Sequence, residues 1–209
     1  MKEKVNAIIE LLKARYPDAP CALHYRKDYE LMIAVRLSAQ CTDARVNLVT
    51  PALFAAYPTL EAMAQADISH VEELVHSCGF YKHKARDIVL SCQMLLERYG
   101  GKVPGTMEEL LALPGVGRKT ANLLLGDLYG VPGSVVCDTH CIRICGKLGL
   151  SEGKDPQKVE QQLRGILPPE ESSDFCHRIV LFGREVCIAR SPKCNECPLK
   201  AHCKEFSGQ

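Results

Sequence analysis

Three short stretches of this 209-residue chain hold the residue types that could do chemistry. At 113–121 it reads LPGVGRKTA, where Gly115 and Gly117 allow a tight turn. The backbone N–H groups of such a turn can face a phosphate, with a helix N-terminus behind them. It grips nucleic acid through its backbone and reads no base. Lys119 falls in the first turn of the helix that follows, beside Arg118. The helix dipole and a neighbouring cation both disfavour an ammonium ion, which makes an amine nucleophilic near neutral pH. On its own, a lysine there also reads as a solvated surface residue. In VVCDTH at 135–140, Asp138 reads as an N-cap. The same placement keeps a carboxylate ionised and able to stabilise a cationic sugar. A nucleophilic lysine with a carboxylate suggests attack at a sugar's anomeric carbon.

The third stretch is Cys187-x6-Cys194-x2-Cys197-x5-Cys203. Short loops, bent by Pro192 and Pro198, let thiolates converge, and the neighbours are Arg190, Lys193, Asn195, Glu196, Lys200 and Lys204 rather than an apolar core. Structural zinc takes four cysteines, usually on paired short knuckles, of which this run has one. A cubane iron–sulfur cluster also takes four thiolates and tolerates variable spacing. Spacing points to metal and favours iron–sulfur over zinc, with both open.

Helices must position these groups. Val5, Ile8, Ile9, Leu11 and Leu12 stripe a first helix that stops near Tyr16-Pro17. Further helices are expected at 31–39, 43–57 (kinked or broken at Pro51), 82–99, 117–129, 138–148, 156–166 and 173–184. Ser69-His70-Val71-Glu72 and Thr106-Met107-Glu108-Glu109 have capping-box patterns, and Asp155 caps ahead of Pro156. No alternating strand, low-complexity tract or long repeat is visible, and Gly130-Val131-Pro132-Gly133 is the best boundary. The fold class expected is all-α. No signal-peptide core or membrane-length apolar run is present, so a cytoplasmic chain is expected, with reduced thiols and no membrane partner.

Together, LPGVGRKTAN, the DTH at 138–140 and the cysteine tail resemble the endonuclease III family. These are bifunctional DNA glycosylases and abasic-site lyases of the helix-hairpin-helix superfamily. The likeness runs from LSAQ at 37–40 through GFY at 79–81 to Cys203. It implies two helical lobes with a DNA-binding cleft between them: a six-helix hairpin lobe at 20–132, and a discontinuous cluster lobe at 1–19 with 133–209. Lys119 would be the Schiff-base nucleophile and Asp138 the catalytic carboxylate, facing one another from opposite lobes. Cys187, Cys194, Cys197 and Cys203 would hold a 4Fe–4S cluster that shapes a DNA-facing loop. Gln40 would fill the hole left by a flipped nucleotide, while Gly115, Gly117, His140, Arg190 and Lys193 would contact DNA. Damaged double-stranded DNA bearing oxidised pyrimidines is the implied substrate, for a monomer working at the nucleoid.

Two positions depart from the family. Phe80 stands where the wedge between bases is usually leucine, and a Phe can also intercalate. Cys137 replaces a common aliphatic residue before Asp138 and should pack as a small apolar group. A monofunctional glycosylase of the superfamily would lack a lysine at 119, and a non-catalytic DNA-binding or zinc module would need neither Lys119 nor Asp138. The formal charge of +1 looks wrong for a DNA enzyme. Its distribution removes the objection: residues 76–150 carry nine bases to six acids and residues 175–209 six to three, whereas residues 151–174 carry three to six. Salt-sensitive phosphate binding through one face is expected.

Overall fold

In the computed structural model, which describes residues 1–206, every regular element is helical, and no strand occurs among the described residues. The chain forms two compact units, Met1–Pro20 with Gly130–Gln209, and Cys21–Tyr129. Helix α1 (Lys2–Arg15) belongs to the first. The second contains α2 (Asp28–Ser38), α3 (Asp43–Ala56), α4 (Leu60–Ala64), α5 (Ile68–Val75), α6 (Tyr81–Tyr99), α7 (Met107–Leu111) and α8 (Arg118–Tyr129).

Helix α2 is the hub of the continuous unit. Leu31, Met32, Ile33, Ala34, Val35 and Leu37 are all buried, so apolar residues cover most of its circumference, as in an interior helix. It packs on α3, α6 and α8; α4 and α5 lie on α6, and α7 lies on α8. Along α6, Ala85, Ile88, Val89, Cys92 and Leu95 supply the buried face.

Several starts differ from the expected ones for local reasons. α2 begins at Asp28 because the Glu30 carboxylate accepts from the backbone N–H of Arg26 at 2.7 Å and Lys27 at 3.3 Å. α5 is capped by Asp67, which accepts from Ser69 N–H at 2.9 Å, so Ser69 and Glu72 lie inside the helix. Thr106 does cap α7, accepting from Glu109 N–H at 3.3 Å. α3 runs through Pro51 unbroken; this proline is exposed, so the missing N–H costs no buried hydrogen bond.

The other unit joins α1 to α9 (Thr139–Leu148), α10 (Pro156–Arg164) and α11 (Ser172–Glu185). α11 packs on both α1 and α9. A Lys13–Glu171 ion pair and an Arg178 Nε bond to Tyr16 O at 3.1 Å fasten α1 in place. α9 and α11 approach closely at Gly183, where a Cβ would stand 2.3 Å from His140 Nδ1 and 3.0 Å from Ile144 Cδ1.

Candidate active site and cysteine centre

In the continuous unit the glycine turn rests on an ion pair. Arg36 of α2 meets Asp87 of α6 at 2.6 Å, and a Cβ at Gly115 would come within 2.3 Å of Arg36 Nε and 2.6 Å of Asp87 Oδ2. Gly115 also has φ +72, so glycine is required there twice over. Ser91 Oγ donates to Pro114 O at 3.0 Å and fixes the turn from α6. Gly117 differs from the sequence expectation: its φ is ordinary and a Cβ would meet nothing within 4 Å. The turn therefore does not need this glycine, whose bare backbone stands exposed to an incoming ligand. Lys119 is exposed in the first turn of α8, directly after the hairpin.

Two other residues share a feature that the sequence does not signal. Gln40 (φ 53) and Phe80 (φ 47) are the non-glycine residues with positive φ among those described. Gln40 is exposed in the turn after α2, and Phe80, 65% exposed, stands immediately before α6. Left-handed backbone at bulky side chains marks sites where strain is held for a purpose.

In the discontinuous unit, Asp138 is the N-cap of α9, its Oδ1 accepting from Cys141 N–H at 2.7 Å. About one and a half turns along the same helix lies Arg143, which the sequence does not single out. Its Nη1 donates to Cys187 O at 2.7 Å and Cys187 Sγ at 3.3 Å, and its Nη2 lies 3.4 Å from His140 Nδ1. Its only sequence signal is its place one turn after His140, within a helix.

The cysteine loop leaves the end of α11 and is closed on itself by Lys193 N–H to Val186 O at 2.9 Å. Lys204 N–H to Lys147 O at 2.8 Å ties its far end to α9. Arg190 and Lys193 are exposed on it. None of the twelve cysteines, all among the described residues, is in a disulfide. Burial pushes the Cys197 thiol up and a Leu199 backbone hydrogen bond pulls it down; Cys187, Cys194 and Cys203 raise it further, so the four share one neighbourhood. Among the described residues no three His, Cys, Asp or Glu side chains converge on a single ion. A cubane cluster needs one thiolate at each of its four irons, and the loop supplies four cysteines. The donor set, with a guanidinium on one sulfur, fits an iron–sulfur cluster.

The chain matches two family models: "HhH-GPD superfamily base excision DNA repair protein" over residues 33–169, and "Iron-sulfur binding domain of endonuclease III" over residues 187–203. The segment carrying the four tail cysteines is thus the family's iron–sulfur binding domain, the seat of its 4Fe–4S cluster. Endonuclease III of Synechocystis sp. is 45% identical over 202 residues, covering 97% of this chain and 92% of that protein. Endonuclease III of Escherichia coli (strain K12) is 38% identical over 203 residues, covering 97% and 96%. A solved structure of a trapped endonuclease III–DNA covalent intermediate, an estranged-adenine complex, superposes with a TM-score of 0.93 at 42% identity, covering 100% of this chain and 98% of that one. With a lysine behind the glycine turn, a capping aspartate and a cluster-binding tail all present, this chain belongs to the endonuclease III family, the DNA glycosylases and abasic-site lyases of base excision repair.

Proposed function

We propose that Lys119 is the nucleophile and Asp138 the catalytic carboxylate of this glycosylase and lyase. The unprotonated Lys119 amine attacks C1′ of the damaged nucleotide. The C1′–base bond breaks, and its electron pair leaves with the base, which takes up a proton. The amine passes one proton to O4′ as the C1′–O4′ bond breaks, so the sugar ring opens and leaves a protonated imine between Lys119 and C1′. Loss of a C2′ proton then expels the 3′ phosphate by β-elimination, and water frees the lysine. Asp138 stabilises the positive charge that builds on the sugar while the base departs.

The remaining roles belong to the same proposal. Gly115 and Gly117 present backbone N–H groups to phosphate, and Arg190, Lys193 and His140 add further contacts. Phe80 wedges between bases and Gln40 fills the vacated space, because C1′ is hidden until the nucleotide is flipped out. Residues 20–132 serve as the hairpin lobe, and 1–19 with 133–209 as the cluster lobe. The 4Fe–4S cluster, held by Cys187, Cys194, Cys197 and Cys203, shapes the loop bearing Arg190 and Lys193 and supplies no step of the chemistry. The enzyme acts as a monomer on oxidised pyrimidines in duplex DNA at the nucleoid.

The observation carrying this reading is an exposed lysine opening α8, in a chain 42% identical to an endonuclease III trapped covalently on DNA. Borohydride reduction on abasic DNA tests it. The native chain forms a covalent adduct and Lys119→Gln forms none; equal adduct from the variant would remove Lys119 as nucleophile. Asp138→Asn should slow base release about a hundredfold, the scale of one lost electrostatic stabiliser.

A further inference from the structure

Lys84 lies in the first turn of α6 and is 1% exposed, one of the largest fully buried side chains. A buried ammonium is costly unless fully hydrogen-bonded, and an apolar side chain would fill the same space more cheaply. Its Nζ donates to Leu37 O at 2.8 Å and to Cys78 O at 2.6 Å. Both acceptors end a helical segment: Leu37 is in the last turn of α2, and Cys78 closes the 3-10 turn His76–Cys78. Carbonyls at such ends have no partner within their own helix.

The chain beyond each acceptor gives the arrangement its meaning. Three residues after Leu37 comes Gln40, and two after Cys78 comes Phe80, the pair of positive-φ side chains. Lys84 also reaches Phe80 through its main chain, its N–H donating to Phe80 O at 3.1 Å. Strained backbone persists only where its surroundings over-determine it, and one residue here fixes both strained turns. Burial pulls the Lys84 amine below the ordinary lysine range, while the thiols of Cys41 and Cys78 favour the cation.

We propose that Lys84 is the positioning residue for base extrusion, tying the turn that carries Gln40 to the turn that carries Phe80 so that both side chains enter DNA as one rigid pair. The inference rests on the reading of Gln40 and Phe80 as the DNA-penetrating residues. Lys84 touches no reacting atom, so its contribution is to nucleotide flipping alone.

The test uses the full chain with its cluster, on duplexes holding a dihydrouracil beside 2-aminopurine, whose fluorescence rises on unstacking. Lys84→Met should slow base release from the duplex about tenfold, the effect of a small misplacement, and should lose the fluorescence rise. Borohydride trapping on an abasic single strand, where nothing needs flipping, should stay within about twofold. In a cycle with Phe80→Ala, the double variant should be no slower than the slower single variant, since the two act through one device. Additive losses, or equal losses on duplex and single strand, would mean that Lys84 only supports the fold and would overturn the proposal. If Lys84→Met does not fold, Lys84→Gln, with its shorter arm, enters the same cycle under the same criteria. Unchanged fluorescence and duplex rate in both Phe80→Ala and Gln40→Ala would instead overturn the wedge reading. Losses in those two variants with native behaviour in the Lys84 variants would overturn the clamp alone.

Discussion

The discontinuous unit contains two sets of four cysteines with opposite characters. Cys137, Cys141, Cys145 and Cys176 are 6%, 0%, 0% and 2% exposed. Cys141 Sγ lies 4.0 Å from Cys145 Sγ, and Cys176 Sγ accepts from Val136 N–H at 3.3 Å. Thiol hydrogen bonds with Cys137, Cys145 and Cys176, reinforced by burial, push the Cys141 thiol far above the usual range. This set packs as small apolar groups between helices. Cys187, Cys194, Cys197 and Cys203 instead lie outside regular α-helix, with Cys194 exposed and a guanidinium on Cys187. Irregular chain lets ligands turn towards a shared centre. The number of cysteines is the same; what differs is the backbone that carries them.

The sharpest way to break this comparison is by substitution in each set. Cys194→Ala should lose iron and the visible absorbance of the cluster, whereas Cys145→Ala should keep both and lose about 1 kcal/mol of stability from its small cavity. Iron loss from Cys145→Ala would show that the interior set is not merely packing. A second substitution tests how tightly that interior is built. At Gly183 an added Cβ stands 2.3 Å from His140 Nδ1, so Gly183→Ala should cost about 2 kcal/mol in chemical denaturation. A native midpoint would mean that α9 and α11 have slack.

The gentlest probe is pH, and it extends the comparison to the other unit. Burial pushes the Cys92 thiol in α6 up to about 12. Its folded value lies above the unfolded one, so the stability it contributes is intact below the ordinary thiol value of 9.0 and is lost as pH rises towards 12. Urea midpoints should therefore fall above pH 9, by about 1.4 kcal/mol per pH unit for each such thiol. Cys92→Ala should remove one thiol's share of the slope, and an unchanged slope would contradict the assignment.

What was legible in the sequence was what periodicity and spacing encode. The stripe on α1, the Gly100 end of α6, the Asp155 cap and the four tail cysteines all rest on local chemistry that any reader of residues can weigh. The start of α2 was not legible, because Lys27 is no usual cap and Glu30 does the capping from inside the helix. Asp67 is masked by the Ser-x-x-Glu pattern beside it, which is the more complete capping signature. At the candidate site, Lys119 and Asp138 are conspicuous by type and position. Arg143 and Lys84 are not, since a lysine read from sequence is taken as solvated until tertiary contacts bury it. Nor does any residue type announce positive φ at Gln40 or Phe80. Those features depend on partners far away in the chain.

The fastening of α1 to α11 carries a consequence for how the molecule is made. Lys13 meets Glu171 across 158 positions, and Tyr16 meets Arg178 across 162. The continuous unit, Cys21–Tyr129, has all its own residues in hand as soon as Tyr129 is synthesised. Helix α1 emerges before any of it, yet α11, the helix it packs on, leaves the ribosome only later. During that interval Val5, Ile8, Ile9 and Leu12 form an uncovered apolar stripe on the nascent chain. Helix α1, translated ahead of the continuous unit, is placed after it, so loop closure over most of these residues should set the slow phase of folding.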